Sequence, residues 1–191
     1  MRRGRVRIAP QVALLFLFMI VSDRTGLCLV TVGAAFLHEC GHMAAARLLH
    51  IPLSGLRMSF LGARLEVSGR MMTYGEEWLL CAAGPFVSLV AAALAAPLWH
   101  FAPARDFSCA SLVLGLLNLL PIRSFDGGRM LECTLARFGG ARAAEWGTQL
   151  CSFAFLFLLW AVASYFLLRV GDGLALFCFS LALFLRFFDG T

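Results

Sequence analysis

Apolar residues run through this chain in six stretches, residues 8–22, 26–49, 78–101, 107–120, 148–169 and 173–186, and polar residues collect in the segments between them. A helix needs about 20 apolar residues to cross the hydrocarbon of a bilayer. The pattern therefore predicts an all-α polytopic membrane protein with about six transmembrane helices, the first and fourth of them short. Between the second and third stretches the period changes. Leu56, Met58 and Phe60 alternate with Arg57 and Ser59, Leu61-Gly62 interrupts, and Arg64-Leu65-Glu66-Val67 follows. A period of two predicts a small β-hairpin there, at the membrane surface beside the second span. No internal repeat or Pro-rich linker divides the sequence, so residues 1–191 are expected to form a single domain.

Composition agrees with this pattern. Of 191 residues, 61% are hydrophobic and 14% charged, and the mean hydropathy is +0.84, outside the range of a water-soluble domain. The formal charge of +5 comes from 16 basic residues, all arginine. They lie mostly between the apolar stretches and form no basic stripe with interleaved aromatics, which argues against nucleic acid as a partner. With six crossings and both termini in the cytoplasm, Arg24, Arg105 and Arg169 alone face the other side. That bias predicts cytoplasmic termini, in a chain expected to sit in a bacterial cell membrane.

Arg2-Arg3-Gly4-Arg5-Val6-Arg7 and the apolar stretch behind it imitate a signal peptide, but no small-x-small site follows. An uncleaved first span, or half of a hairpin, is the expectation. The seven cysteines include no CxxC pair and predict packing residues rather than a disulfide framework.

The chemistry is concentrated in His38-Glu39-Cys40-Gly41-His42. In a helix, residues four apart project from one face, so both imidazoles are presented together. Two imidazole ligands leave a zinc ion room for a third protein ligand and a water, the open coordination of a catalytic site. Glu39 stands one residue beyond the first ligand, where a water-activating base is needed. Ionisable groups within an apolar span are costly in lipid and usually functional. Cys40 should point away from the metal. A third ligand must come from elsewhere. Asp126 follows Asn118-Leu119-Leu120-Pro121 at the end of an apolar stretch and precedes Gly127-Gly128, so its local sequence suits a ligand and an ordinary Asp-Gly turn equally.

The HECGH of residues 38–42 together with NLLPIRSFDGG of residues 118–128 resembles the site-2 protease family of intramembrane zinc metalloproteases. Ala82-Ala83-Gly84-Pro85 looks like the small-residue segment that this family carries between its two metal motifs. The resemblance covers roughly residues 8–135. It implies that Asp126 completes the site of one Zn²⁺ ion with His38 and His42, and that Glu39 is the catalytic base. Arg123-Ser124 departs from the apolar or proline residues expected before the aspartate, and Cys40 from a bulkier apolar residue. Without appended PDZ or CBS modules, the chain is similar to the short bacterial forms, including the branch that processes a sporulation sigma factor.

The activity expected is that of a zinc metalloendopeptidase acting on membrane-associated or single-span proteins near the cytoplasmic face, with a membrane regulator as a further partner. Asn118 suits a donor to the oxyanion or to substrate backbone, and equally a tie across an unwound helix end. The hairpin offers a strand edge on which substrate can be held extended. Gly33, Gly41 and Gly84 are expected to allow close helix approach. A catalytically silent zinc-binding regulator or tether is the alternative, which has no need of Glu39. A metal transporter would spread its ligands across the bilayer, whereas these cluster near one face.

Overall fold

The computed structural model describes residues 5–8, 23, 26–51, 53–59, 62–67, 72–170 and 174–188. Among them are three strands and five α-helices: β1 (Arg5–Ile8), α1 (Leu27–Leu48), β2 (Leu53–Ser59), β3 (Gly62–Val67), α2 (Tyr74–Ala95), α3 (Ala102–Asn118), α4 (Asp126–Val170) and α5 (Leu174–Phe188). The chain divides into two compact units, Met1–Leu116 and Leu117–Thr191.

In the first unit, α1 is delimited by specific hydrogen bonds. The Asp23 carboxylate accepts from the backbone N–H groups of Gly26 and Cys28, at 3.1 and 2.6 Å, placing negative charge at the positive end of the helix. At the other end His50 takes a left-handed conformation, with φ of 52°. Its N–H then reaches the Arg47 carbonyl, and the N–H of Ile51 reaches that of Ala46. This is a Schellman closure, made here by a histidine rather than the usual glycine. Ile51 is thereby turned back onto Ala46 and Leu80 in a small apolar cluster.

The second long helix, α2, starts with a capping box. The Thr73 hydroxyl accepts from the Glu76 N–H, and the Glu76 carboxylate accepts from the Thr73 N–H. A single turn of 3₁₀-helix, Ala96–Leu98, extends it, and α3 follows. The Ser108 hydroxyl of α3 donates to the Ala92 carbonyl of α2 at 2.8 Å. The strands form one sheet in the order β1-β2-β3, with β1 parallel and β3 antiparallel to β2. Residues 60 and 61, where the expected hairpin would turn, lie outside the described residues.

The second unit holds α4 and α5, which pack through Leu156 and Leu183 on Ile122, with Phe153 against Phe184 and Phe187. Residues 121–147, expected to connect two spans, are largely helical: α4 is two helices that meet at Gly140, whose φ of 79° and ψ of 173° are not helical, and the second runs on to Val170. Met130, Leu131, Leu135, Ala136, Arg137, Ala141, Arg142, Ala143 and Ala144 are strong helix formers, and their polar neighbours break only the hydropathy.

Of the six expected crossings, three have counterparts of spanning length among the described residues. Among the described residues three helices are long and apolar enough to cross a bilayer: Leu27–Leu48, Tyr74–Leu98 and Asp126–Arg169. With 17 and 15 residues, α3 and α5 reach only about 26 and 22 Å at 1.5 Å per residue, short of the hydrocarbon thickness of about 30 Å. The first expected span, residues 8–22, lies outside the described residues apart from Ile8, the last residue of β1. Large apolar side chains such as Phe36, Leu94 and Phe157 are exposed on the three long helices. That is the surface of an integral membrane protein, because a soluble one rarely exposes apolar patches of this extent.

Candidate metal centre

His38 and His42 stand one helical turn apart on α1 and are buried, at 4% and 7% exposure. Each ring is held at Nδ1 by α2. The His42 Nδ1–H donates to the Leu80 carbonyl at 2.8 Å, which fixes the tautomer and leaves Nε2 with its lone pair. The His38 Nδ1 is bonded to the hydroxyl of Ser88, itself 1% exposed, at 2.9 Å. When that nitrogen donates, the His38 Nε2 also carries a lone pair.

The two Nε2 atoms then face each other at 3.2 Å. Lone pairs at that distance need a proton or a cation between them. Ligand nitrogens about 2.0–2.1 Å from a tetrahedral ion lie roughly 3.3–3.4 Å apart, so the pair fits the edge of such a coordination sphere. Engagement of both Nδ1 atoms by oxygen is the outer-shell arrangement that orients metal-binding imidazoles.

Space for the rings comes from Gly84. A Cβ at that position would overlap Nε2 of His42 and approach Nε2 of His38 to 2.7 Å. Between the two histidines on α1, a Cβ on Gly41 would come within 2.7 Å of the Ala83 carbonyl, so the two backbones approach closely. Gly33, expected to play a similar part, faces open space.

Nitrogens of both rings and a carboxylate oxygen of Asp126 all lie within 4.8 Å of one another, a group able to hold a metal ion. Two imidazoles and a carboxylate are a donor set suited to zinc. Cys40 is not in the group. Glu39 is half-buried, next to His38 on α1, and Asn118 is the half-buried last residue of α3.

Asp126 itself opens α4, and its position depends on the turn before it. The Ile122 N–H donates to the Leu120 carbonyl and the Phe125 N–H to the Ile122 carbonyl, at 2.7 and 2.8 Å. A Cβ on Gly127 would overlap the backbone of Leu119, and one on Gly128 the backbone of Ile122. The double glycine therefore lets the first turn of α4 lie directly on the turn that follows Asn118.

The fold has a solved counterpart. The structure titled Site-2 Protease from Methanocaldococcus jannaschii superposes with a TM-score of 0.65 over 93% of this chain and 84% of that one, at 18% identity. The chain shares the fold of that protease. No protein-family profile matches the sequence. Nor does any curated protein.

Two features of the centre escaped the reading of the sequence. Ser88 is a lone hydroxyl in an apolar helix with no fixed spacing to the HExxH motif, and the Leu80 carbonyl carries no signature at all. Gly84 was legible as a small residue, though not as the wall against which both imidazoles stand.

Proposed function

We propose that the chain is a zinc-dependent intramembrane endopeptidase of the site-2 protease family, with residues 1–191 acting as one catalytic domain. His38, His42 and Asp126 hold one Zn²⁺ ion and Glu39 is the general base. The observation that carries the reading is the facing Nε2 pair of two buried histidines, each anchored at Nδ1, grouped with a carboxylate in a fold shared with a site-2 protease.

A zinc ion bound there supplies Lewis acidity towards the scissile carbonyl and lowers the pKa of a water. Glu39 takes the proton of the attacking water on its carboxylate and delivers it to the leaving amine. Asn118 offers an amide N–H to the developing oxyanion or to the substrate backbone. A peptide bond within a helix is shielded by its own hydrogen bonds, so substrate must be extended before it is cut. Among the described residues β3 has β2 on one side only, and its other edge serves that purpose. The substrates are single-span or membrane-associated proteins cut near the cytoplasmic face of a bacterial cell membrane, with release of a regulatory factor as in the sporulation branch that the sequence resembles. A membrane regulator restrains the activity.

The test is metal analysis of detergent-purified protein, followed by incubation of wild type and Glu39→Gln with single-span membrane proteins. The expected result is about one zinc per chain in both, with cleavage by wild type alone. Cleavage by Glu39→Gln at the wild-type rate removes the proposed base. Zinc in the wild type without cleavage of any substrate favours the silent regulator instead.

A further inference from the structure

Ser152 has no place in the proposed chemistry, yet it is completely buried in the apolar part of α4. Its hydroxyl accepts from the Arg123 N–H at 2.9 Å and donates, at a longer 3.4 Å, to the Pro121 carbonyl. Both partners are backbone groups of the turn between α3 and α4. Helix-internal serines commonly bond back to their own helix, as Ser164 does to the Trp160 carbonyl. Ser152 instead reaches 29 and 31 residues back along the chain.

The turn that it grips leads directly to Asp126. On one side the turn is pressed by the first residues of α4, where Gly127 and Gly128 leave no room for a Cβ. On the other it is tied by the Ser152 hydroxyl. Ile122, between the two tied residues, is 2% exposed and inserted against Leu156, one turn beyond Ser152. Rotation of the turn would therefore break a hydrogen bond and withdraw a buried side chain, and Asp126 is carried on the result.

We infer that Ser152 is a positioning residue for the metal site, fixing the backbone that presents the Asp126 carboxylate. The inference rests on the proposed role of Asp126 as a ligand. An internal control stands one turn away. The Thr148 hydroxyl is equally buried on the same helix and has no hydrogen-bond partner among the described residues.

The experiment compares zinc dissociation constants of purified wild type, Ser152→Ala, Thr148→Val and Asp126→Asn, with peptide-level amide exchange on each. Loss of an outer-shell partner typically weakens metal binding about 10- to 100-fold. Ser152→Ala is expected to fall in that range, with faster exchange confined to the peptide spanning residues 119–125, while Thr148→Val matches wild type. Wild-type affinity in Ser152→Ala overturns the inference, as does equal weakening in Thr148→Val or faster exchange throughout α5, since each marks a packing role. If Asp126→Asn or the wild type itself shows that Asp126 binds no zinc, the ligand assignment fails and the inference with it. Weakening by Asp126→Asn with an unaffected Ser152→Ala removes the inference alone.

Discussion

A methyl group on Gly84 would occupy space already taken by the two imidazoles. The rings cannot easily retreat, since His42 is tied to the Leu80 carbonyl and His38 to Ser88. Gly84→Ala is therefore expected to lose most of its zinc while its helical circular dichroism persists. Full zinc content in that variant would show that α1 and α2 can move apart at little cost. Ser88→Ala is a milder test of the same site. It leaves the ring free to rotate about χ2 and should weaken zinc binding about 10- to 100-fold, measured by competition with a chelating dye. At this scale the sequence is informative where chemistry follows a local period. His38 and His42 are four residues apart on a helix, so their shared face follows from 3.6 residues per turn. Ser88 lies 50 residues from His38, and only the packing of α2 on α1 joins them.

Among the elements, the start of α2 and the end of α3 are encoded locally, whereas α1 closes on a left-handed histidine that no sequence signal marks. The Thr73 and Glu76 box, and the Pro121 that follows α3, are signals of known local chemistry. The join within α4 is not encoded by hydropathy, because a polar amphipathic helix that runs into an apolar one looks like a loop followed by a span. The bend at Gly140 falls within the polar part, before the apolar stretch begins at residue 148. With φ of 79° and ψ of 173°, its backbone lies in a region that is essentially reserved for glycine. A Cβ there would meet nothing within 4 Å, so any penalty of substitution is conformational rather than steric. Gly140→Ala should cost about 1–3 kcal/mol, read as a lower thermal midpoint of the purified protein. An unchanged or raised midpoint would mean that residue 140 relaxes into ordinary helix and that α4 can be straight.

For the whole molecule the deciding contrast is between the buried polar centre and the exposed apolar exterior. Leu27–Leu48 shows both: His38 and His42 are buried, while Phe36, close to the helix midpoint, is 65% exposed. In water this arrangement would be inverted, and only a surrounding apolar solvent makes it stable. The six-span expectation counted apolar stretches, and among the described residues three of them fold as helices of clear spanning length while α3 and α5 are shorter. The membrane assignment itself does not depend on that count, because it can be tested on α1 alone. An arginine placed at the centre of a transmembrane helix costs about 2.5–3.5 kcal/mol on insertion scales, whereas one near the end reaches the interface along its own side chain. Phe36→Arg should therefore reduce the fraction of chain resistant to alkaline extraction, and Leu48→Arg, at the exposed last residue of α1, should leave it unchanged. Equal behaviour of the two variants would mean that the exposed face of α1 is covered by protein rather than by lipid.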